Sequence, residues 1–298
     1  MSEITKPTLT DIAMLLGIAI IWGSAFSSIK VLVAESGALW GAALRVLFGF
    51  LAVLPFILLA KAGIRLRAAE VSGIVLVALL NMVVPFILIS WALQHIDAGI
   101  GALLLGVTPF IAMIIGHFTT SDERITKGRA LAVVFAMTGI SVLVGPQAIL
   151  GLGSATFLAQ LAVVASGACY VIAGFVMRRI DLDPVLFTVY ALGTGAIMLL
   201  SVALAWEGYP DFVLSSQAWV NLIWLGTAPT GLAYLMRYWL VRRLGVSTFA
   251  LAMNAVPIFG ILIGALYLGE VIHWTTLVAL AFVLIGLMIA RMTTPKTT

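Results

Sequence analysis

The chain has 298 residues, of which 63% are hydrophobic and 9% charged, and it carries a formal net charge of +4. Soluble domains carry about 25% charged residues, and with a mean hydropathy of +1.20 this chain cannot clothe a water-facing fold. The basic residues sit in short connectors between apolar runs, so their excess speaks of membrane orientation rather than nucleic acid. Cys169 is the single cysteine, which excludes an internal disulfide. With no Cys/His cluster either, no metal site and no cofactor are expected.

Ten apolar runs follow in order, at 12–34, 38–60, 70–93, 98–118, 128–146, 155–177, 184–206, 216–241, 247–268 and 272–291. Each is close to the ~20 residues that span a bilayer as a helix. The first is longer than the ~7–15-residue core of a signal peptide, so it is read as an uncleaved span. Spanning strands would be shorter and would alternate, and these runs do not. The expected fold is an all-α integral membrane protein.

Charge placement orients it. Lys6, then Lys61, Arg65 and Arg67, then Arg124, Lys127 and Arg129 lie in alternate connectors. Arg178 and Arg179, Arg242 and Arg243, and Arg291 and Lys296 continue the series. The five opposite connectors hold Glu35, Asp97, Glu207, Asp211 and Glu270, with neither Lys nor Arg. By the positive-inside rule both termini are cytoplasmic.

The halves resemble each other at an offset of 148: Trp22 falls on Tyr170, Lys30 on Arg178, Trp91 on Trp239 and Pro109 on Pro257. One residue of gap aligns Glu123 with Glu270 and Gly139 with Gly286. Five spans per half is an odd number, so the second half enters the membrane from the opposite side. Residues 1–149 and 150–298 therefore read as two inverted five-helix repeats, an arrangement that places a site at the midplane in transporters.

Several side chains could serve such a site. Lys30 and Arg45 stand inside predicted spans, Arg45 about 10 Å into the second. A cation at the bilayer centre costs ~2.5–3.5 kcal/mol on insertion scales, so each must face protein or water. One reading is attraction of a substrate carboxylate; the other is a structural ion pair or snorkelling. Mid-span polar residues are mostly neutral, with Ser24, Asn81 and Asn254 the candidates. An amide suits both the carboxylate and the ammonium of a zwitterion, and equally suits helix–helix contact. Trp22, Tyr170 and Tyr234 could form an apolar wall with polar tips, or simply pack. Pro85, Pro109, Pro229 and Pro257 interrupt spans three, four, eight and nine and serve as helix breaks or hinges. The expected cavity is lined mainly by spans one, three, four, six, eight and nine, with five and ten peripheral. Catalytic residues are not expected, since no His, Asp or Glu lies in mid-span.

The motifs Ile21-Trp22-Gly23-Ser24-Ala25-Phe26, Ala42-Ala43-Leu44-Arg45, Thr108-Pro109-Phe110, Val256-Pro257-Ile258 and Leu268-Gly269-Glu270 occur in this order. In that order and repetition the chain resembles the EamA-type transporters of the drug/metabolite transporter superfamily, and within them the YddG amino-acid exporters. Glu123, preceded by Thr120-Ser121-Asp122, departs from the family's Leu-Gly-Glu pattern. The resemblance implies a ten-helix protein of the bacterial inner membrane that exports amino acids, aromatic ones included, through a central cavity. The expected partners are a small-molecule substrate and the lipid bilayer, with no nucleic acid and the chain acting as a monomer. Alternatives are export of another small metabolite or drug, a non-transporting polytopic receptor, or a membrane enzyme.

Overall fold

A computed structural model describes residues 8–59, 67–119, 126–144, 154–177, 179–180, 182–244 and 253–292. Every regular element among them is helical. Among the described residues, seven helices are long and apolar enough to cross a membrane, from Leu9–Leu58 to Trp274–Met292, and Val256–Leu268 is a shorter apolar one.

Helix α1, Leu9–Val53, opens on a capping box in which the Thr8 hydroxyl accepts from the Asp11 amide and the Asp11 carboxylate accepts from the Thr8 amide. The first break expected from sequence is a kink inside this helix, not a loop. Gly37 there has φ 71° and ψ 175°, a backbone region that side chains with a Cβ avoid. The apolar stretch Leu9–Leu58 has 50 residues. Straight, it would reach about 75 Å, more than twice the ~30 Å hydrocarbon core. The Gly37 kink divides it into two arms.

Helices α2 (Ala68–Ala78) and α3 (Val84–Ala92) are joined by a π turn at Leu79–Val83. Helices α4 (Ala98–Leu105) and α5 (Thr108–Thr119) are joined at Gly106 and Val107. Then come α6 (Lys127–Val144), α7 (Ala155–Met177) and α8 (Pro184–Glu207). Helices α9 (Ser216–Leu225) and α10 (Ala233–Leu244) flank a second π turn at Gly226–Leu232. Helices α11 (Val256–Leu268) and α12 (Trp274–Met292) close the chain. All four predicted proline breaks coincide with irregular backbone. Pro85, Pro109 and Pro257 are each the second residue of a helix that restarts, and Pro229 lies within the π turn.

Close helix crossings depend on glycine. A Cβ on Gly23 would stand 2.7 Å from the Phe259 side chain, and one on Gly49 2.7 Å from Thr230. Helices α6 and α12 pack on each other through a reciprocal pair. A Cβ on Gly139 would meet the Ala279 carbonyl at 2.9 Å, and one on Gly286 would meet the Ala132 carbonyl at 2.9 Å. Four-fifths or more of the apolar stretch of α6 lies outside the packed interior, with 17% buried, as expected of a peripheral span.

Helix α4 is capped from a distant part of the chain. Asp97 precedes it without capping it through its side chain. Glu270 accepts from the amides of Ala98, at 2.7 Å, and Gly99, at 3.0 Å. Lys30 of α1 binds the same carboxylate at 2.9 Å and Asp97 at 2.9 Å. Three chain segments thus meet at one helix N-terminus, where the orphan amides and the helix dipole both favour an anion. The Glu270 side chain is 9% exposed and that of Asp97 43%. Glu123 and Arg178, the counterparts of Glu270 and Lys30 in the repeat, lie outside the described residues.

The two carboxylates are therefore unequal. Glu270→Gln should cost about 1.5–3 kcal/mol, since it weakens charge-assisted bonds at a buried position. Asp97→Asn, screened by solvent, should cost under about 1 kcal/mol. Thermal unfolding of the purified variants in one detergent checks the order. Equal losses would contradict this account of the cap.

Candidate functional site

The proline at position 229 sets the local chemistry. A proline in a helix leaves the carbonyl four residues earlier without its amide. For Pro229 that carbonyl belongs to Leu225, and the Thr230 hydroxyl donates to it at 2.7 Å. The Thr230 oxygen keeps its lone pairs and accepts from Arg45 Nε at 2.9 Å. The Arg45 guanidinium carbon lies 3.7 Å from the centroid of the Phe86 ring, a cation–π contact. Arg45 is only 7% exposed. A bond along one edge and an aromatic face beneath fix the plane of this buried cation.

Around it stand most of the predicted aromatic and amide residues. Asn81, buried in the π turn of residues 79–83, donates through Nδ2 to the Tyr234 hydroxyl at 3.2 Å. The Tyr234 ring meets Trp22 edge-on, with centroids 6.3 Å apart. Trp22 Nε1 donates to the Pro229 carbonyl at 3.1 Å. Tyr170 of α7 packs against two of the apolar core clusters and, with Tyr234, lies within electrostatic reach of Arg45. Five separate segments therefore converge: both arms of α1, the break between α2 and α3, α7, and the break between α9 and α10.

Two candidates stand apart from this group. Ser24 donates to the Ile21 carbonyl at 2.8 Å and accepts from Trp224 Nε1 at 2.9 Å. It lies two residues from Trp22, and residues two apart on a helix do not share a face. Asn254 lies in the turn before α11, and no hydrogen bond joins it to the cluster among the described residues. The expected lining changes accordingly: the second arm of α1 contributes Arg45, while α4, α5 and α11 supply none of the clustered side chains. Pro109 has a different consequence. It frees the Leu105 carbonyl, and the Thr108 hydroxyl satisfies it at 2.6 Å.

Lys30 and Arg45 separate clearly. Lys30 is held by two carboxylates and belongs to the cap of α4. Arg45 has no carboxylate within ion-pair distance among the described residues. Thr230 and Phe86 escaped sequence reasoning. The Pro229-Thr230 dipeptide was the available signal for the first, because a hydroxyl beside a helix-breaking proline can answer the freed carbonyl. Arg237, within α10, is a third cation in a predicted span and was not singled out.

The EamA-like transporter family profile matches residues 9–145 and again residues 156–292. The chain is 20% identical over 259 residues to "Uncharacterized transporter YoaV" of Bacillus subtilis, covering 86% of this chain and 88% of the relative. It is 27% identical over 251 residues to an uncharacterized transporter of Archaeoglobus fulgidus, covering 83% and 84%. It is 23% identical over 270 residues to a probable terminal-alkyne amino-acid exporter of Streptantibioticus cattleyicolor, covering 90% and 89%. A solved crystal structure superposes with a TM-score of 0.67 at 16% identity, covering 95% of this chain and 98% of that one. The chain belongs to the EamA-like transporter family.

Proposed function

We propose that this transporter exports amino acids, aromatic ones included, or closely related small metabolites across a bacterial inner membrane. The observation that carries this reading is the cluster of Arg45, Asn81, Tyr170 and Tyr234 at the two π-turn breaks of a transporter-family chain. Broken helices with polar side chains are how transporters build substrate sites inside a bilayer. The relative from Streptantibioticus cattleyicolor, named a probable amino-acid exporter, supports the substrate class.

The architecture in this proposal has ten spans in two inverted repeats, 1–149 and 150–298, with both termini cytoplasmic. Two matches of the family profile support the repeat. So does the reciprocal packing of α6 and α12: an offset of 147 carries Gly139 onto Gly286 and Ala132 onto Ala279, exchanging the two contacts. The Gly37 kink supports two passes within α1. Alternating access follows from rocking of the halves, with the breaks at Pro85, Pro109, Pro229 and Pro257 absorbing the movement. The cation and hydroxyls suit the polar end of an amino acid, and Trp22 and Met82 suit its apolar end.

Coupling is proposed to be absent. Described Asp and Glu residues stand at or near helix ends, as Asp11, Glu70, Asp97 and Glu270 do, or at the Gly37 kink, as Glu35 does, which provides no acidic relay at mid-span. A neutral zwitterion then moves down its own gradient and feels no membrane potential directly.

Two measurements test these statements. A fluorescent reporter fused after Thr298 should be active in the cytoplasm, and an alkaline phosphatase fusion there should be inactive; the opposite pattern overturns the topology. Labelled phenylalanine in proteoliposomes should equilibrate with or without an imposed pH gradient. Asn81→Ala, which removes the bond to Tyr234, should slow that flux by about threefold, the equivalent of one ordinary hydrogen bond. Accumulation well above equilibrium under a pH gradient, with no other ion gradient, would show coupling. Failure to move any amino acid would overturn the substrate class.

A further inference from the structure

We infer that Arg45 is the anchor for a free carboxylate, so that the substrate class is defined by its acid group more than by its ammonium. This deepens the export reading and rests on it. Arg45 is nine-tenths buried, yet its Nε is the single guanidinium nitrogen engaged in a hydrogen bond among the described residues, at 2.9 Å from Thr230. An arginine presents five N–H donors. The four on the two terminal nitrogens have no protein acceptor among the described residues. These nitrogens are not among the fully enclosed polar atoms that lack a partner, so they border space that a ligand can reach, and a largely buried charge gains from an anion placed there. Lys30, the other cation in the same helix, shows the usual solution, since two carboxylates hold it.

The unsatisfied edge is also the preorganised one. Thr230 holds Nε, and the Phe86 ring 3.7 Å away fixes the plane, so the terminal nitrogens form a set fork. Two parallel N–H groups of a guanidinium match the two oxygens of a carboxylate. Tyr234, whose hydroxyl accepts from Asn81, stands in the same group of side chains. Asn81 spends its amide nitrogen on Tyr234, which leaves its carbonyl oxygen as the acceptor for an ammonium. An α-amino acid satisfies both ends. A monocarboxylate satisfies the fork alone, and an amine or an amide does not. A bound carboxylate pairs the cation directly, and a monocarboxylate also cancels the site's charge, whereas a zwitterion leaves the net charge unchanged.

The test compares four probes of one shape: phenylalanine, 3-phenylpropionate, phenethylamine and phenylalaninamide. Each is titrated against detergent-purified wild type, Arg45→Gln and Arg45→Lys, reading ligand-induced thermal stabilisation. The two acids should stabilise the wild type saturably, and the amine and the amide should not. Arg45→Gln should weaken both acids by about tenfold or more, the range of one charge-assisted hydrogen bond. Arg45→Lys should fall between, keeping the charge and losing the fork. If Arg45→Gln does not fold, Thr230→Val keeps the cation, frees its plane, and should narrow the preference for acid over amide. Equal responses of the wild type to acid and amide, or no response to either acid, overturn the anchor. Flux of phenylalanine and phenylalaninamide alike in proteoliposomes would overturn it while keeping the export reading. Saturable binding of 3-phenylpropionate without flux of any amino acid would keep the anchor and overturn that reading.

Discussion

Leu105 and Leu225 each lose a helical hydrogen bond to a proline four residues on, and each is answered by the hydroxyl of a neighbouring threonine. Inside a bilayer this is an obligation, because no water is at hand to satisfy a free carbonyl. At Leu225 the obligation has a consequence beyond repair. Thr230 turns its hydrogen toward the carbonyl, so its oxygen can only accept, and what it accepts from is Arg45. The hydroxyl that orients the buried cation is thus set by the π turn around Pro229. The Pro229 carbonyl is drawn into the same arrangement, bound by Trp22.

Cross-chain bonds of this kind also tie the first half of the sequence to the second. Glu35 accepts from the amide of Ser215 at 2.7 Å and from its hydroxyl at 2.6 Å, while Ser215 itself caps α9. Glu270 caps α4 and Asn81 meets Tyr234. Helix packing in lipid gains little from the hydrophobic effect, since lipid tails are as apolar as leucine. Glycine crossings such as Gly23 against Phe259 bring backbones together. The polar ties then select one register among many apolar alternatives.

Much of the fold was legible because the bilayer imposes simple rules. Segment length and the four prolines located helices and breaks, and all four breaks coincide with irregular backbone. The candidate site was less legible. Trp22 and Ser24 were both candidates in the first span, but a two-residue step points them to different partners. Asn81 and Asn254 looked equivalent, yet depth in a span says nothing about rotation about its axis. The partner of Lys30 lies 240 residues away at Glu270. Such pairings depend on how helices cross, which hydropathy does not encode. Phe86 under Arg45 is one apolar residue among many, distinguished only by the cation above it.

The contrast between the two cations of α1 carries the functional argument further. They stand on apolar arms on either side of the Gly37 kink, with Arg45 7% exposed and the Lys30 side chain 30% exposed. Lys30 is compact and flexible, and its charge is already balanced by two carboxylates, one of which caps a helix N-terminus. Arg45 is planar, held at one nitrogen and on one face, and is left with donors pointing outward in a fixed geometry. A protein that needed Arg45 only for structure could place a carboxylate beside it, as it does for Lys30. Supplying neutral hydroxyls and an aromatic ring instead keeps the charge in place without cancelling it. In the proposed site, a carboxylate ligand would complete the electrostatics on arrival and restore the deficit on leaving. Binding that is completed only by a mobile anion is reversible, and release is as much part of export as capture.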